Sequence, residues 1–235
     1  MNSACVVSDL HMFCRRSQWE QHLEAMHRGA ADADLFVFNG DTVDFKWTSL
    51  AGVNETVDCA VNFLKDFAGR YPNTQIHVNL GNHDHVAPFI TELDKLAHIT
   101  PNLSWHPYYF RVNSTMFLHG DVANRRMSHA QLERYRAHWN HDRKESEVKN
   151  QIYDAAFRAG AHLAVSRLAF PHRRTIKRVA AYLEDIGQTG AHGIRRVYFG
   201  HTHVPVAGYT YRGITFHNGG APMEGMGFQM LKTEL

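Results

Sequence analysis

Five apolar runs in this chain each stop at Asp, Asn or His, set beside glycine or two residues from a second such side chain. That recurrence constrains the fold more than any bulk property does. Residues 4–7 lead into Ser8, Asp9, Leu10 and His11, and residues 34–38 lead into Asn39, Gly40, Asp41, Thr42, Val43 and Asp44. Residues 75–80 lead into Gly81, Asn82, His83 and Asp84. Later, Leu118 is followed by His119, Gly120 and Asp121, and Phe199 by Gly200, His201, Thr202 and His203. Helical patterns separate the first three runs. Ser17 and Glu20 form a capping-box pair before Trp19, Leu23 and Met26, and Val53, Val57, Val61, Leu64 and Phe67 recur at helical spacing. Strand, loop and helix in repetition predict an α/β protein with a parallel sheet and helices on its faces.

Residues 103–119 read as consecutive strands broken at Asn113 and Ser114, with Trp105, Tyr108 and Tyr109 in the core. A helical region spans about 122–190, and the last strands are expected at 196–199, 206–211, 214–217 and 228–232. His217 to Pro222 reads as a turn after a strand. No internal repeat or linker divides the chain, so residues 1–235 are expected to form a single domain that includes the helical insertion.

Any one Asp or His after a strand is ordinarily a cap or a turn residue. Five such ends on one edge of a parallel sheet are a ligand site, because open α/β sheets bind at the carboxyl ends of their strands. Asp9 and His11 share a face in extended chain, as do His201 and His203, so each pair is placed to grip a cation. Mixed imidazole and carboxylate donors suit zinc, manganese or iron rather than calcium or magnesium. Asp9, His11, Asp41, Asn82, His119, His201 and His203 are too many for one tetrahedral ion. They fit two ions bridged by one carboxylate, the arrangement that clamps the oxygens of an in-line displacement.

Composition excludes other classes. The 235 residues are 44% hydrophobic and 20% charged, enough apolar material for one substantial core and too much for a disordered chain. Three cysteines without a paired spacing indicate neither a disulfide framework nor a thiolate zinc site. With no signal-like leader and no long apolar span, the expectation is a cytoplasmic protein without a transmembrane anchor. The 18 histidines are the anomaly in these totals, and five of them fall on the strand ends.

The ordered series Asp9-x-His11, Gly40-Asp41, Gly81-Asn82-His83-Asp84, His119 and Gly200-His201-x-His203 resembles the calcineurin-like metallophosphoesterase superfamily. The resemblance implies a four-layer αββα sandwich and a metal-dependent phosphoester hydrolase with a dinuclear centre. It implies Asp9, His11 and His203 on one ion, Asn82, His119 and His201 on the other, and Asp41 bridging. The two divalent or trivalent transition-metal ions are expected to be Mn2+, Fe2+, Fe3+ or Zn2+, with an activated water or hydroxide attacking phosphorus. His83 matches the family's non-ligand histidine, implying contact with the phosphate or protonation of the leaving oxygen, with Asp84 orienting it. Asp44 and Asp121 are candidates to orient ligands.

Charge is unevenly placed along the chain. The net charge is +2, yet residues 122–190 carry +6 and the remainder −4. Arg125, Arg126, Arg134, Arg136, Arg143 and Lys144 contribute early in the insertion, and Arg173, Arg174, Lys177 and Arg178 late. A basic lid over an anionic phosphomonoester, phosphodiester or pyrophosphate is the expectation, with Asn124, Arg125 and Arg126 as candidate substrate contacts. The helical insertion is similar to that of UDP-2,3-diacylglucosamine pyrophosphohydrolases, although His83 stands where that group usually has Arg. Imidazole donates a proton near neutral pH and guanidinium does not. The apolar residues Ala155, Ala156, Phe157, Ala161, Leu163, Ala164, Val165, Leu168 and Phe170 read as the packed face of a helix or an acyl pocket. Two alternatives are a nuclease and a non-catalytic protein-binding scaffold. The full ligand set argues against the scaffold. The lack of a nucleic-acid-binding motif argues against the nuclease and against a stable nucleic-acid partner.

Overall fold

The computed structural model describes residues 1–140, 144–158 and 160–235, without the side chains of 161, 164, 165 and 167. Arg143 and the side chains of Ala161, Ala164 and Val165 therefore lie outside the described residues. Strands β1 (Ser3–Val7), β2 (Leu35–Asn39), β3 (Gln75–Asn79) and β4 (Leu103–His106) pair in parallel, in that order, and β10 (Leu231–Glu234) closes the β1 edge antiparallel. A second sheet runs β5 (Tyr109–Val112), β6 (Thr115–Leu118), β7 (Arg196–Tyr198), β9 (Ile214–Asn218) and β8 (Val206–Tyr211). In it β6, β7 and β9 are parallel, while β5 and β8 are antiparallel hairpin partners.

The strand ends therefore do not converge on one sheet. They divide between two, because residues 107–108 carry the chain from β4 in the first sheet to β5 in the second. The turn at Asn113 (φ 51°) and Ser114 folds β5 onto β6, with asparagine in the left-handed region that such two-residue turns require.

Strand β2 reads Leu-Phe-Val-Phe-Asn and is buried on both faces, which explains an apolar run without alternation. Its Phe36 and Phe38 meet helices α1 (Leu23–Asp32), α2 (Val53–Arg70) and α3 (Ala87–Ile99) through Met26, Val57, Leu64, Phe67 and Phe89. Its Leu35 and Val37 face the other sheet through Phe110, Phe117 and Tyr198. The second sheet buries Met116, Val197 and Phe216 under Leu132 of α4 (His129–Ala137) and Ile176, Val179 and Leu183 of α7 (His172–Asp185). The layers are helix, sheet, sheet and helix: an αββα sandwich.

The region 122–190 thus has two parts. Helices α4 and α7 belong to the outer layer of the second sheet, and α5 (Glu147–Arg158) and α6 (Ala161–Ala169) lie between them in sequence. No helix of the described residues is long and apolar enough to cross a membrane.

Several local expectations are corrected. Ser17 caps no helix: its hydroxyl donates to the Leu10 carbonyl and accepts the Trp19 N–H at 3.2 Å, and residues Trp19–His22 form a short 3-10 turn before α1. The capping box of this protein is Ser128 with Gln131, at the start of α4. The last strand begins at Leu231, and Phe228 makes only an isolated bridge to Gly220. Trp105, Tyr108 and Tyr109 are half-buried rather than core.

Arg136, expected as part of a basic surface, is fully buried. Its Nε and Nη2 donate to Asp121 at 2.5 and 3.0 Å, and its Nη1 donates to the carbonyls of Leu80 at 2.8 Å and Pro107 at 3.1 Å. One guanidinium therefore ties the end of β3, the β4–β5 crossover and the turn after β6. Burial pushes the Asp121 carboxyl up, and Arg136 more than reverses this, holding it below the ordinary value. A carboxyl lowered on folding adds stability that is complete above its unfolded value and lost as pH falls through the folded one. Arg136→Ala is expected to cost about 3–5 kcal/mol in urea unfolding and to shrink that acid-side loss, because Asp121 is left buried and unpaired. Arg136→Met with Asp121→Leu should recover part of this; a double variant no more stable than Arg136→Ala would count against the pair as the cause.

Candidate metal centre

The ends of β1, β2 and β3 in one sheet meet the ends of β6 and β7 in the other at a single point. Asp9, His11 and His203 present donor atoms all within 4.8 Å of one another, and so do Asp41, His119 and His201. Asp41 Oδ2 lies 3.2 Å from His119 Nε2 and 3.9 Å from His11 Nε2, so this carboxylate stands between the two groups. Asn82 lines the same cavity floor with Asp41, His83, His201 and His203.

The local backbone is not extended, as spacing alone suggested. Asp9 (φ 54°), His11 (φ 44°), Asp41 (φ 48°), His201 (φ 65°) and His203 (φ 56°) all occupy the left-handed region. Each such residue costs about 1–3 kcal/mol and persists only where its surroundings hold it there. Backbone bonds from Asp9 N–H to Gly40 O (3.0 Å) and His11 N–H to Asp41 O (2.9 Å) do so for the first loop, and His201 N–H to Asp9 Oδ1 (2.7 Å) for the last. Two glycines are required by close approach. A Cβ on Gly81 would collide with the Asp41 carboxylate, and one on Gly200 with the Asp9 carboxylate.

Hydrogen bonds fix which ring nitrogen faces inward. His11 Nδ1–H donates to Asp44 Oδ2 at 3.1 Å, leaving Nε2 toward His203 Nε2 at 3.1 Å. His201 Nε2–H donates to Asn124 Oδ1 at 2.9 Å, leaving Nδ1 toward His119 Nε2 at 3.2 Å. Ring nitrogens facing each other in pairs suit lone pairs converging on a cation.

The charge balance gives a second test of fit. Asp9, Asp41, Asp44, Asp84 and Asp121 are all nine-tenths or more buried, and Arg136 offsets one of them. Burial and the Asp41 carboxylate push the Asp84 carboxyl up to about 6, the response of a site with more negative charge than it can hold. Asp9 Oδ2 and Asn82 Oδ1 are buried without hydrogen-bond partners. A pair of divalent cations fits this donor set.

His83 is not held by Asp84, as expected, but by Asp44, whose Oδ1 accepts from its Nδ1 at 3.2 Å. Burial works against the His83 imidazolium, but Asp44 and Asp41 outweigh it and raise it to about 9. Asp84 instead accepts the backbone N–H groups of Gly81 at 2.5 Å and Thr42 at 2.7 Å, locking the two loops together. Asp121 serves Arg136. Asn124 touches His201 directly, whereas Arg125 and Arg126 are exposed and Arg126 faces a separate groove.

Above the floor is a cavity of about 350 Å³ with Tyr153, Phe157, Phe170, Met223 and Met226 in its wall. Sequence reasoning missed most of these, since Tyr153 and the methionines lie in segments that read only as helix and turn. Leu168, by contrast, is 77% exposed. Arg16 was missed as well. It is buried between the Trp47 and Tyr153 rings, 5.2 and 4.2 Å from their centroids, and donates to Asp154 at 2.7 Å and Asn150 at 3.0 Å. Together with Arg15, which pairs with Glu147 at 3.0 Å, this side chain pins α5 to the loop after β1.

Gly81→Ala is expected to displace Asp41 and lower bound metal, read by elemental analysis, while circular dichroism stays unchanged. Full metal content in that variant would show that the loop has room that the backbone does not display.

Among solved structures, the chain is similar to Yfce, a phosphoesterase from E. coli, at 13% identity and a TM-score of 0.44, covering 98% of this chain and 87% of that one. It is also similar to a dimetal phosphatase from Danio rerio, at 10% identity and a TM-score of 0.45, covering 99% and 95%. No curated protein sequence matches. The calcineurin-like phosphoesterase family model matches residues 4–205, and its span takes in all five strand-end motifs, so this chain belongs to the calcineurin-like phosphoesterases, metal-dependent hydrolases of phosphoester bonds.

Proposed function

We propose that the protein hydrolyses an anionic phosphoester at a dinuclear centre, with Asp9, His11 and His203 holding one ion, Asn82, His119 and His201 the other, and Asp41 between them. The observation that carries this reading is the two donor groups, Asp9, His11 and His203 and Asp41, His119 and His201, with Asp41 Oδ2 reaching toward both at 3.9 Å from His11 and 3.2 Å from His119, and with Asp41, His201 and His203 opening into one cavity. Two ions of manganese, iron or zinc, when bound, supply Lewis-acid polarisation of the phosphoryl oxygens and acidify water.

The chain's own groups do the rest. Asp44 receives His11 with one oxygen and His83 with the other, fixing both rings. With Nδ1–H so occupied, His83 gives its Nε2 proton to the leaving oxygen as the phosphorus–oxygen bond breaks. Asn124 acts through His201 as a positioning residue. Arg125 remains a candidate for phosphate contact by its position after Asn124.

An alkoxide leaving group needs a proton far more than a phosphate leaving group does, so a histidine at residue 83 favours a mono- or diester over an anhydride. The apolar wall of Tyr153, Phe157 and Phe170 supports a leaving group with a ring or short acyl portion, and α5 and α6 serve as its cap. The same wall supports a second reading, a pyrophosphohydrolase acting on an acylated nucleotide-linked substrate. The three free cysteines suit a reducing, cytoplasmic setting.

Asp41→Asn should abolish turnover of aryl phosphate mono- and diesters and reduce bound metal, measured by spectrophotometric assay and elemental analysis. Wild-type protein that holds no transition metal and stays inert with added Mn2+ would sink the reading. His83→Ala should lower kcat about 10²–10⁴-fold with metal content intact. Loss of metal in that variant would make His83 a ligand instead.

A further inference from the structure

A second concavity, larger than the one over the metal centre, opens on the outer side of α7. Its volume is about 630 Å³, and Arg126, Pro171, Arg173, Arg174, Lys177 and Arg178 line it. Five cations surround one groove with no carboxylate among the residues that form it. None of the five makes an ion pair among the described residues.

The arrangement is unfavourable in the free protein. Arg173 with Lys177, and Arg174 with Arg178, are like charges four residues apart on one helix, a spacing that destabilises it. Arg178 is pushed below its ordinary value by burial and by Arg174. Two of the guanidiniums are nevertheless anchored. Arg174 Nη2 donates to the carbonyls of Leu168 at 3.3 Å and Ala169 at 2.8 Å, and Arg178 Nη1 to Ala123 at 2.6 Å. The repulsion is thus built into fixed positions rather than relieved by side chains swinging apart.

The groove starts at the border of the metal centre. Pro171 follows Phe170, whose ring stands 5.9 Å from that of His201, and Arg126 follows two residues after Asn124, which holds His201. Guanidinium forks and an ammonium without acidic partners match the oxygens of phosphate and carboxylate groups, and five of them around one groove suit an anion that carries several charges.

We propose that this groove is a second anion site, which receives phosphate groups of the substrate other than the one under attack, so that the protein prefers a multiply phosphorylated small molecule. The proposal rests on the phosphoesterase reading above, but its test does not depend on turnover. Inorganic tripolyphosphate is titrated calorimetrically into the wild-type protein, Asp41→Asn, and the double variant Arg173→Glu, Lys177→Glu, with Arg126→Glu as an independent change outside α7. The expected result is binding retained in Asp41→Asn and weakened about tenfold or more in both groove variants, at unchanged thermal midpoint. Binding lost in Asp41→Asn and kept in the groove variants would place the anion at the metal centre and overturn the proposal. So would no binding to wild type, or tighter binding of a single-stranded oligothymidylate than of tripolyphosphate, which would make the groove a nucleic-acid track. Inert protein in the aryl phosphate assay alongside the expected tripolyphosphate pattern would sink the phosphoesterase reading and leave the anion site standing.

Discussion

The Asn39 amide holds the two sheets together where the metal centre has to form. Its Nδ2 donates to Leu118 O at 3.0 Å and Tyr198 O at 3.1 Å, joining the last residue of β2 to the ends of β6 and β7 in the opposite sheet. The residue is fully buried, so these bonds are made away from water, where losing the amide would leave buried polar groups to be satisfied in some other way. Everything at the site is referred to this bond. One sheet supplies Asp9, His11, Asp41, Asn82 and His83, and the other supplies His119, His201 and His203. A slip between sheets of even one ångström would separate Asp41 from His119. Gly200 N–H to His119 O at 2.6 Å and Asn218 Nδ2 to Gly200 O at 2.9 Å extend the same register within the second sheet.

That fixed frame is what allows so much local strain. Five non-glycine residues at the site hold positive φ, and five carboxylates are buried around them. Neither would survive in a loop free to relax. Large apolar clusters on the outer faces of both sheets, and a third between them, over-determine the strand ends and leave their loops few alternatives. The glycines at residues 81 and 200 complete the arrangement by letting backbone approach the carboxylates it must surround.

Much of this was legible in the sequence, and the reason is locality. Strand runs, turn residues and the spacing of Asp, Asn and His are written within windows of a few residues, so the order of β1 to β9 and the five motifs could be read directly. What failed depended on distance in three dimensions. The division into two sheets came from the family resemblance, as the expected αββα sandwich, and not from the strand pattern, because it follows from a two-residue crossover with no special signal. Arg136 is an ordinary cation in a basic helix until the fold buries it against Asp121. Asp44 and Asp84 are equally plausible partners for His83 in sequence, and the adjacent one is wrong because its side chain turns back to cap its own loop. The unexplained histidines are similar: His77 and His106 form a ring pair stacked near Phe110, and His129 bonds Tyr182, roles set wholly by packing.

The modest net charge of +2 conceals a separation with chemical consequences. Buried acid gathers at the metal centre, where it attracts cations and would repel a phosphate unless those cations are bound. The insertion was expected to answer that repulsion with a basic lid. Among the described residues, the wall over the centre is instead aromatic and methionine-rich, and a cluster of five cations lies on the far side of Phe170 and Pro171. Cations directly over the centre would compete with metal for the same carboxylates, whereas an apolar wall excludes water and leaves the donors to the ions. Under the proposed function, recognition would be divided: shape and apolar contact at the scissile phosphate, and long-range attraction from a groove beside it, where positive charge can draw an anion in without disturbing the ligands.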